Sequence, residues 1–162
     1  MINGFQQQDG RQFEAKNVRY SSTSPRSELQ MDIAAAYPAE SGIKQWIRTV
    51  TVEKKLNRLI VKDNYLSDNP LKQLTQTFMT VCPADIQQPG KIFFNVGKEM
   101  ILMEYDANKW AVSKEEALTN SPDEKQLEIN WGHHPIWRLL FTSKTRAAKD
   151  NFTYTFRKAE RK

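Results

Sequence analysis

Two adjacent histidines, His133 and His134, are the residues whose types first suggest chemistry, because imidazole binds metals and exchanges protons near neutral pH. Neighbouring side chains on a strand point to opposite faces, and Pro135 follows directly, so the pair lacks chelating geometry. The sequence has no His-x-His or Cys-x-x-Cys spacing to supply further ligands. We therefore predict no metal site and no cofactor in this chain, and leave open a hydrogen-bonding role for one histidine at the edge of a cleft.

The sequence contains no recognisable nucleophile arrangement. A Gly-x-Ser-x-Gly turn is absent, and the six glycines form no phosphate-binding loop. Carboxylates such as Asp68, Asp85 and Asp106 are scattered near the ends of predicted strands, where they more often shape turns than share a proton. This pattern predicts no catalytic residue and favours a β-sheet scaffold over a complete enzyme.

A tryptophan and an arginine two residues apart, Trp46 and Arg48, are predicted to share one face of a strand. An arginine that faces the same way as a core tryptophan must pair with a carboxylate or with carbonyls. We predict structural roles for both residues. The other tryptophans, Trp110, Trp131 and Trp137, have rings suited to stacking on sugars, but core packing is the commoner use of such side chains.

The elements that must position these residues read as strands, because apolar and polar residues alternate over most of the chain. A single helical turn is predicted from Ser113 to Leu118, since Ser113 and Glu116 have capping-box spacing. Short strands without a long amphipathic helix predict an all-β fold, an antiparallel two-layer sandwich of about ten strands forming one domain over residues 1–162. The predicted strands are 13–16, 29–37, 46–52, 58–65, 74–82, 91–96, 99–105, 110–112, 127–131, 136–141 and 152–156.

The chain of 162 residues has a formal net charge of +5, which favours anionic partners without choosing among nucleic acid, acidic polysaccharide and lipid. Its basic residues concentrate near the C-terminus while its aromatic residues read as core, so we predict no nucleic-acid partner. No apolar run approaches the roughly 18 residues of a membrane span, so no membrane partner is predicted. Cys82 is the single cysteine and is predicted to pack as a small hydrophobe.

Five short segments occur in an order that matches a known family. They are Ile2-Asn3-Gly4 with Gln7, Ala36-Tyr37 followed by Trp46-x-Arg48, Leu59-Ile60-Val61-Lys62-Asp63, Phe78-x-Thr80, and Trp137-Arg138. In this order they resemble the C-terminal β-sheet region of the heparinase II/III-like polysaccharide lyases over essentially the whole chain. The segments are mostly structural, so Asp63 joins Trp46 and Arg48 as a predicted structural residue.

The resemblance implies a two-part enzyme, in which an α/α toroid precedes stacked antiparallel sheets and the substrate cleft lies between them. Such enzymes carry out β-elimination on a uronate, and the family's catalytic and metal-binding residues match no position here. The resemblance thus implies that this chain is the C-terminal part of a longer periplasmic or secreted lyase, inactive alone, whose partners are the toroid and an acidic polysaccharide. An apolar patch left without the toroid would also permit a homodimer.

The rival hypothesis is an independent carbohydrate-binding module, which predicts exposed, coplanar aromatic side chains on one sheet face and sugar affinity without a partner. A lipocalin-like ligand barrel is a further structural alternative. If this chain contacts an acidic sugar, we expect the contact near His133, His134, Trp137 and Arg138, which combine aromatic surface with hydrogen-bond donors.

Overall fold

The computed structural model describes residues 1–117, 121, 125–126 and 129–159. Eleven strands occur in these ranges, every pair of neighbours is antiparallel, and the all-β sandwich is confirmed. They are β1 (Lys16–Ser22), β2 (Arg26–Asp32), β3 (Ile43–Glu53), β4 (Arg58–Ser67), β5 (Thr75–Thr80), β6 (Ala84–Asp85), β7 (Lys91–Val96), β8 (Glu99–Glu104), β9 (Trp110–Glu116), β10 (Trp137–Ser143) and β11 (Lys149–Lys158).

The strands form two sheets of unequal width. The larger sheet has eight strands in the order β1-β2-β3-β4-β11-β8-β7-β6, and the smaller sheet has three in the order β5-β10-β9. Ile2 forms an isolated bridge with Leu74, just before β5, and the backbone N–H of Thr75 donates to the carbonyl of Met1. The N-terminal residues thus lie along the entry to the smaller sheet.

Aromatic side chains fill the space where the smaller sheet packs on the larger one. The ring centroids of Phe78 and Tyr154 are 4.9 Å apart, and those of Trp110 and Phe152 are 4.4 Å apart. Phe141 of β10 meets Tyr154 edge-on at 5.3 Å. The edge-to-face contacts of Tyr154 with Phe78 and Phe141 are favourable beyond the area that they bury. The smaller sheet is therefore anchored chiefly on β11.

Two 3₁₀ turns replace parts of the strands that were predicted near the N-terminus. The strand predicted over 29–37 ends at Asp32, because the Asp32 carboxylate accepts hydrogen bonds from the backbone N–H groups of Ala34 and Trp46 and a 3₁₀ turn, Ala34–Ala36, follows. The strand predicted over 13–16 is also wrong, since a 3₁₀ turn occupies Arg11–Phe13 and β1 begins only at Lys16.

The helical turn predicted from Ser113 to Leu118 is wrong over the residues that the structure describes, 113–117. Residues up to Glu116 belong to β9, which makes seven register pairs with β10, and Ser113 pairs with Leu140. These ladder hydrogen bonds outweigh a local capping preference. The strand predicted over 127–131 is wrong as well, because Ile129 is helical and Trp131 lies in a turn. Leu118 and Leu127 lie outside the described residues.

Candidate functional site

Arg48 and Asp63 form a two-point ion pair on the core-facing side of the larger sheet. Arg48 Nε donates to Asp63 Oδ1 at 2.8 Å, and Nη2 donates to Oδ2 at 2.7 Å. The residues are direct register partners on β3 and β4. The Asp63 side chain is fully buried, whereas 32% of the Arg48 side chain is exposed. Of the two kinds of partner predicted for Arg48, a carboxylate or carbonyls, the structure shows a carboxylate.

Two tyrosines share the electrostatic environment of this ion pair. Burial, followed by the nearby Asp63 carboxylate, raises the pKa of Tyr154 well above its ordinary value. Burial likewise raises the pKa of Tyr37, with Arg48 opposing the shift. For Arg48 itself burial lowers the pKa, but the hydrogen bonds and charge of Asp63 outweigh that effect and the pKa is raised. At neutral pH the guanidinium is therefore charged and both phenols are neutral.

A row of four aromatic rings runs beside the ion pair. Tyr37, Trp46, Tyr65 and Phe152 follow one another with centroid separations of 6.5, 5.5 and 5.9 Å and interplanar angles of 22 to 25°. Trp46, Tyr65 and Phe152 are buried, and Tyr37 is half-buried. These rings pack the core and do not offer their faces to a sugar.

The same face of the larger sheet continues as an apolar area beyond the ion pair. Tyr20, Leu29 and Val50 lie opposite one another across β1, β2 and β3, and Val52 lies opposite Leu59 across β3 and β4. None of the five belongs to the buried cluster between the sheets, and Tyr20 and Val52 are 70% and 42% exposed. We call these five residues the uncovered surface. The pairing of distant strands brings these five residues together.

The four residues predicted to contact sugar do not form one surface. His133 and His134 are both exposed; His133 ends a turn with a φ of 57°, and His134 follows that turn. Trp137 and Arg138 are consecutive on β10, so their side chains leave opposite faces of the smaller sheet. Lys114 Nζ lies 5.0 Å from the centre of the Trp137 ring, and the Arg138 guanidinium pairs with Glu115 at 2.7 Å. Sugar contact by these residues stays a prediction.

A groove of about 850 Å³ at one end of the larger sheet is lined by two cations of the basic C-terminal region, Arg157 and Lys158. Lys158 Nζ pairs with Glu99 at 2.7 Å, and Arg157 Nε pairs with Glu104 at 3.0 Å. These acidic partners offset much of the local positive charge. The groove is lined by Leu56, Asn57, Lys98, Glu99, Arg157, Lys158 and Ala159.

The described ranges contain no group of three or more His, Cys, Asp or Glu side chains placed to hold a metal ion together. Within the same part of the chain no helix is long and apolar enough to cross a membrane. Tyr20 is the only aromatic residue in the described ranges that is mostly exposed. An aromatic platform for sugar is thus not formed by these residues.

The resemblance implied an apolar patch left without the toroid, but the position of the uncovered surface was not predicted, although the sequence holds a signal for it. The alternation that places Trp46 and Arg48 on one face extends to Val50 and Val52, and the strand 59–63 begins with an apolar residue. Period-two alternation identifies a face but not what lies over it. In comparisons with known proteins, no family model matches this chain and no curated protein matches it.

Proposed function

We propose that this chain is a non-catalytic scaffold domain of a heparinase II/III-like polysaccharide lyase, packed through the uncovered surface against an α/α toroid that carries the chemistry. The observation that supports this proposal is the unequal width of the two sheets. Eight strands face three, and the five apolar side chains of the uncovered surface, on β1 to β4, lie outside the buried cluster between the sheets.

The composition of this surface is that of a protein contact. Its centre carries Leu29, Val50 and Val52, and polar groups lie at its edge, where Ser27 is the register partner of Val52 and Lys54 Nζ donates to Ser22 Oγ at 3.1 Å. The buried centres of protein interfaces are depleted of charge in this way, and removal of apolar area from water contributes about 25 cal/mol per Å². A covering layer would therefore be stabilised mainly by the burial of these aliphatic side chains.

The scaffold role accounts for this chain better than an independent carbohydrate-binding module does. Such a module needs exposed aromatic rings on one plane, and in the described ranges Tyr20 is alone in being mostly exposed. The acidic polysaccharide and the periplasmic or secreted location belong to the proposed longer enzyme, as does the β-elimination reaction.

The proposal is tested with the toroid encoded upstream in the same reading frame, expressed separately and mixed with this chain. We expect association by titration calorimetry, and unsaturated product, seen by its ultraviolet absorbance, only when the toroid is present. A Val52→Lys substitution places a charge in the uncovered surface and is expected to weaken association about tenfold or more.

Val96→Lys is the matched control, because Val96 is an equally exposed strand valine, at 44% against 42% for Val52, but lies on β7, near the opposite edge of the larger sheet. It should leave association unchanged. Equal effects of the two substitutions, or a reading frame that encodes no toroid, would overturn the proposed function.

A further inference from the structure

Arg48 stands in the row of side chains next to the uncovered surface. Across the larger sheet, Met31, Arg48, Asp63 and Phe152 form one register row, and Leu29 and Val50 belong to the next row on the same face. Phe152 and Asp63 are fully buried, whereas about a third of the Arg48 side chain is exposed. The guanidinium therefore lies between the closed core and the open apolar area.

The ion pair leaves part of the guanidinium unused. Asp63 engages Nε and one N–H of Nη2, and an arginine side chain has five N–H donors. Within the described residues, Asp63 is the sole hydrogen-bond partner of the Arg48 side chain. The remaining donors, including both on Nη1, are satisfied by water as long as that third of the side chain is exposed.

A partner that covers the uncovered surface removes that water. Burial of a charged donor without an acceptor is strongly unfavourable, so the partner must present an acceptor to Arg48. A carboxylate matches the planar guanidinium better than a single carbonyl does, since it accepts two parallel hydrogen bonds.

We propose that Arg48 is the polar anchor of the uncovered surface and binds a carboxylate side chain of the docked protein partner. This inference rests on the proposed function for the identity of that partner as the toroid. Asp63 holds the guanidinium in place through two hydrogen bonds, so little side-chain entropy is lost on docking. Apolar contact around the anchor supplies affinity, and the carboxylate selects the partner and its orientation.

The surroundings favour a protein carboxylate over an acidic sugar. On the open side the aliphatic Leu29 and Val50 lie in the row next to Arg48, while Met31, its own register partner, packs against the core. The nearby Tyr37 ring is stacked on Trp46. Aliphatic side chains complement the apolar surface of a protein, whereas sugars are usually held by exposed aromatic faces and many hydrogen bonds.

The test uses a double variant, because loss of Arg48 alone would leave the buried Asp63 carboxylate unpaired and endanger folding. In the R48M/D63L variant both charges are replaced by apolar groups of similar size, a change that is often tolerated in cores. If Arg48 anchors the partner, affinity for the toroid measured by calorimetry should fall about 10- to 100-fold while the urea unfolding midpoint stays near that of the wild type. Arg48→Lys, which keeps the charge but loses the planar geometry, should bind with intermediate affinity.

Arg157→Gln is the control, since Arg157 is also a partly exposed, ion-paired arginine but lies on β11, outside the uncovered surface and the predicted sugar contacts. It should leave affinity for the toroid unchanged. If the folded R48M/D63L variant binds the toroid as tightly as the wild type while Val52→Lys binds weakly, the anchor is overturned and the proposed function stands.

If the wild-type chain does not associate with the toroid, both proposals fail together. Two other results would overturn only the protein-carboxylate assignment. One is a dimer of this chain alone in sedimentation that R48M/D63L abolishes, which would make a second copy the partner. The other is binding of a glucuronate oligosaccharide by the wild type but not by R48M/D63L, which would make Arg48 a sugar contact.

Discussion

Buried polar groups without partners mark the region around the Arg48–Asp63 pair. Among the described residues, the hydroxyl of Tyr154, Nε1 of Trp46 and both side-chain amide atoms of Gln76 have no hydrogen-bond partner. Gln76 pairs with Phe141 across the smaller sheet, and the Phe141 ring contacts Tyr154. Since an unpaired buried polar group costs about 1 to 3 kcal/mol, apolar packing must offset this cost.

The first prediction concerns the two buried tyrosine hydroxyls. In Tyr154→Phe no hydrogen bond is lost, so the free energy of unfolding should stay the same or rise by about 1 kcal/mol. In the matched variant Tyr65→Phe, the carbonyl of Ala147 loses a 2.9 Å hydrogen bond, and the free energy should fall by about 1 kcal/mol. Urea unfolding of both variants measures the difference. A clear loss of stability in Tyr154→Phe would show that its hydroxyl has a partner in solution.

At the scale of elements, the alternation of apolar and polar residues predicted the position of most strands. Hydrogen bonds and glycines in the turns determine where the strands end. The hairpin predicted from 91–96 and 99–105 is confirmed as β7 and β8, which pair from Lys91 with Glu104 to Val96 with Glu99. Gly97, the first of its two loop residues, has a φ of 58°, a value that suits glycine. By contrast, the helical turn at Ser113 was wrong because strand pairing with β10 is non-local and invisible to a four-residue pattern.

The second prediction separates backbone strain from crowding at this hairpin. A Cβ added at Gly97 would meet nothing within 4 Å, so any cost of substitution comes from φ. Gly97→Val should therefore lower the free energy of unfolding by about 1 to 2 kcal/mol, and Gly97→Asn by much less, because asparagine tolerates positive φ. Thermal unfolding of the two variants compares them. Equal losses would contradict an origin in the backbone conformation.

At the scale of the whole molecule, coverage of the larger sheet is uneven. The aromatic contacts of the smaller sheet go mainly to β11, while β1, β2 and β3 carry the uncovered surface. Two residues of similar type thus have different surroundings: Leu139 of β10 is fully buried, whereas Val52 of β3 is 42% exposed.

The third prediction follows from this unevenness. Leu139→Ala should lower the free energy of unfolding by about 2 to 5 kcal/mol, because it leaves a cavity in the core. Val52→Ala should cost less than about 1 kcal/mol in the chain alone, since much of its side chain already contacts water. Urea unfolding at low protein concentration checks both values. A loss at Val52 that approaches the loss at Leu139 would mean that this surface is covered in the isolated chain.

The sequence by itself determined the all-β class, most strand positions and the need of Arg48 for an acceptor, because these depend on side-chain alternation and on the cost of burying charge. Only the tertiary structure decided that the acceptor is Asp63, that the side chains of Trp137 and Arg138 leave opposite faces, and that the five residues of the uncovered surface lie outside the core. Register and layer coverage arise from contacts between distant segments, such as β4 with β11, which no local pattern encodes.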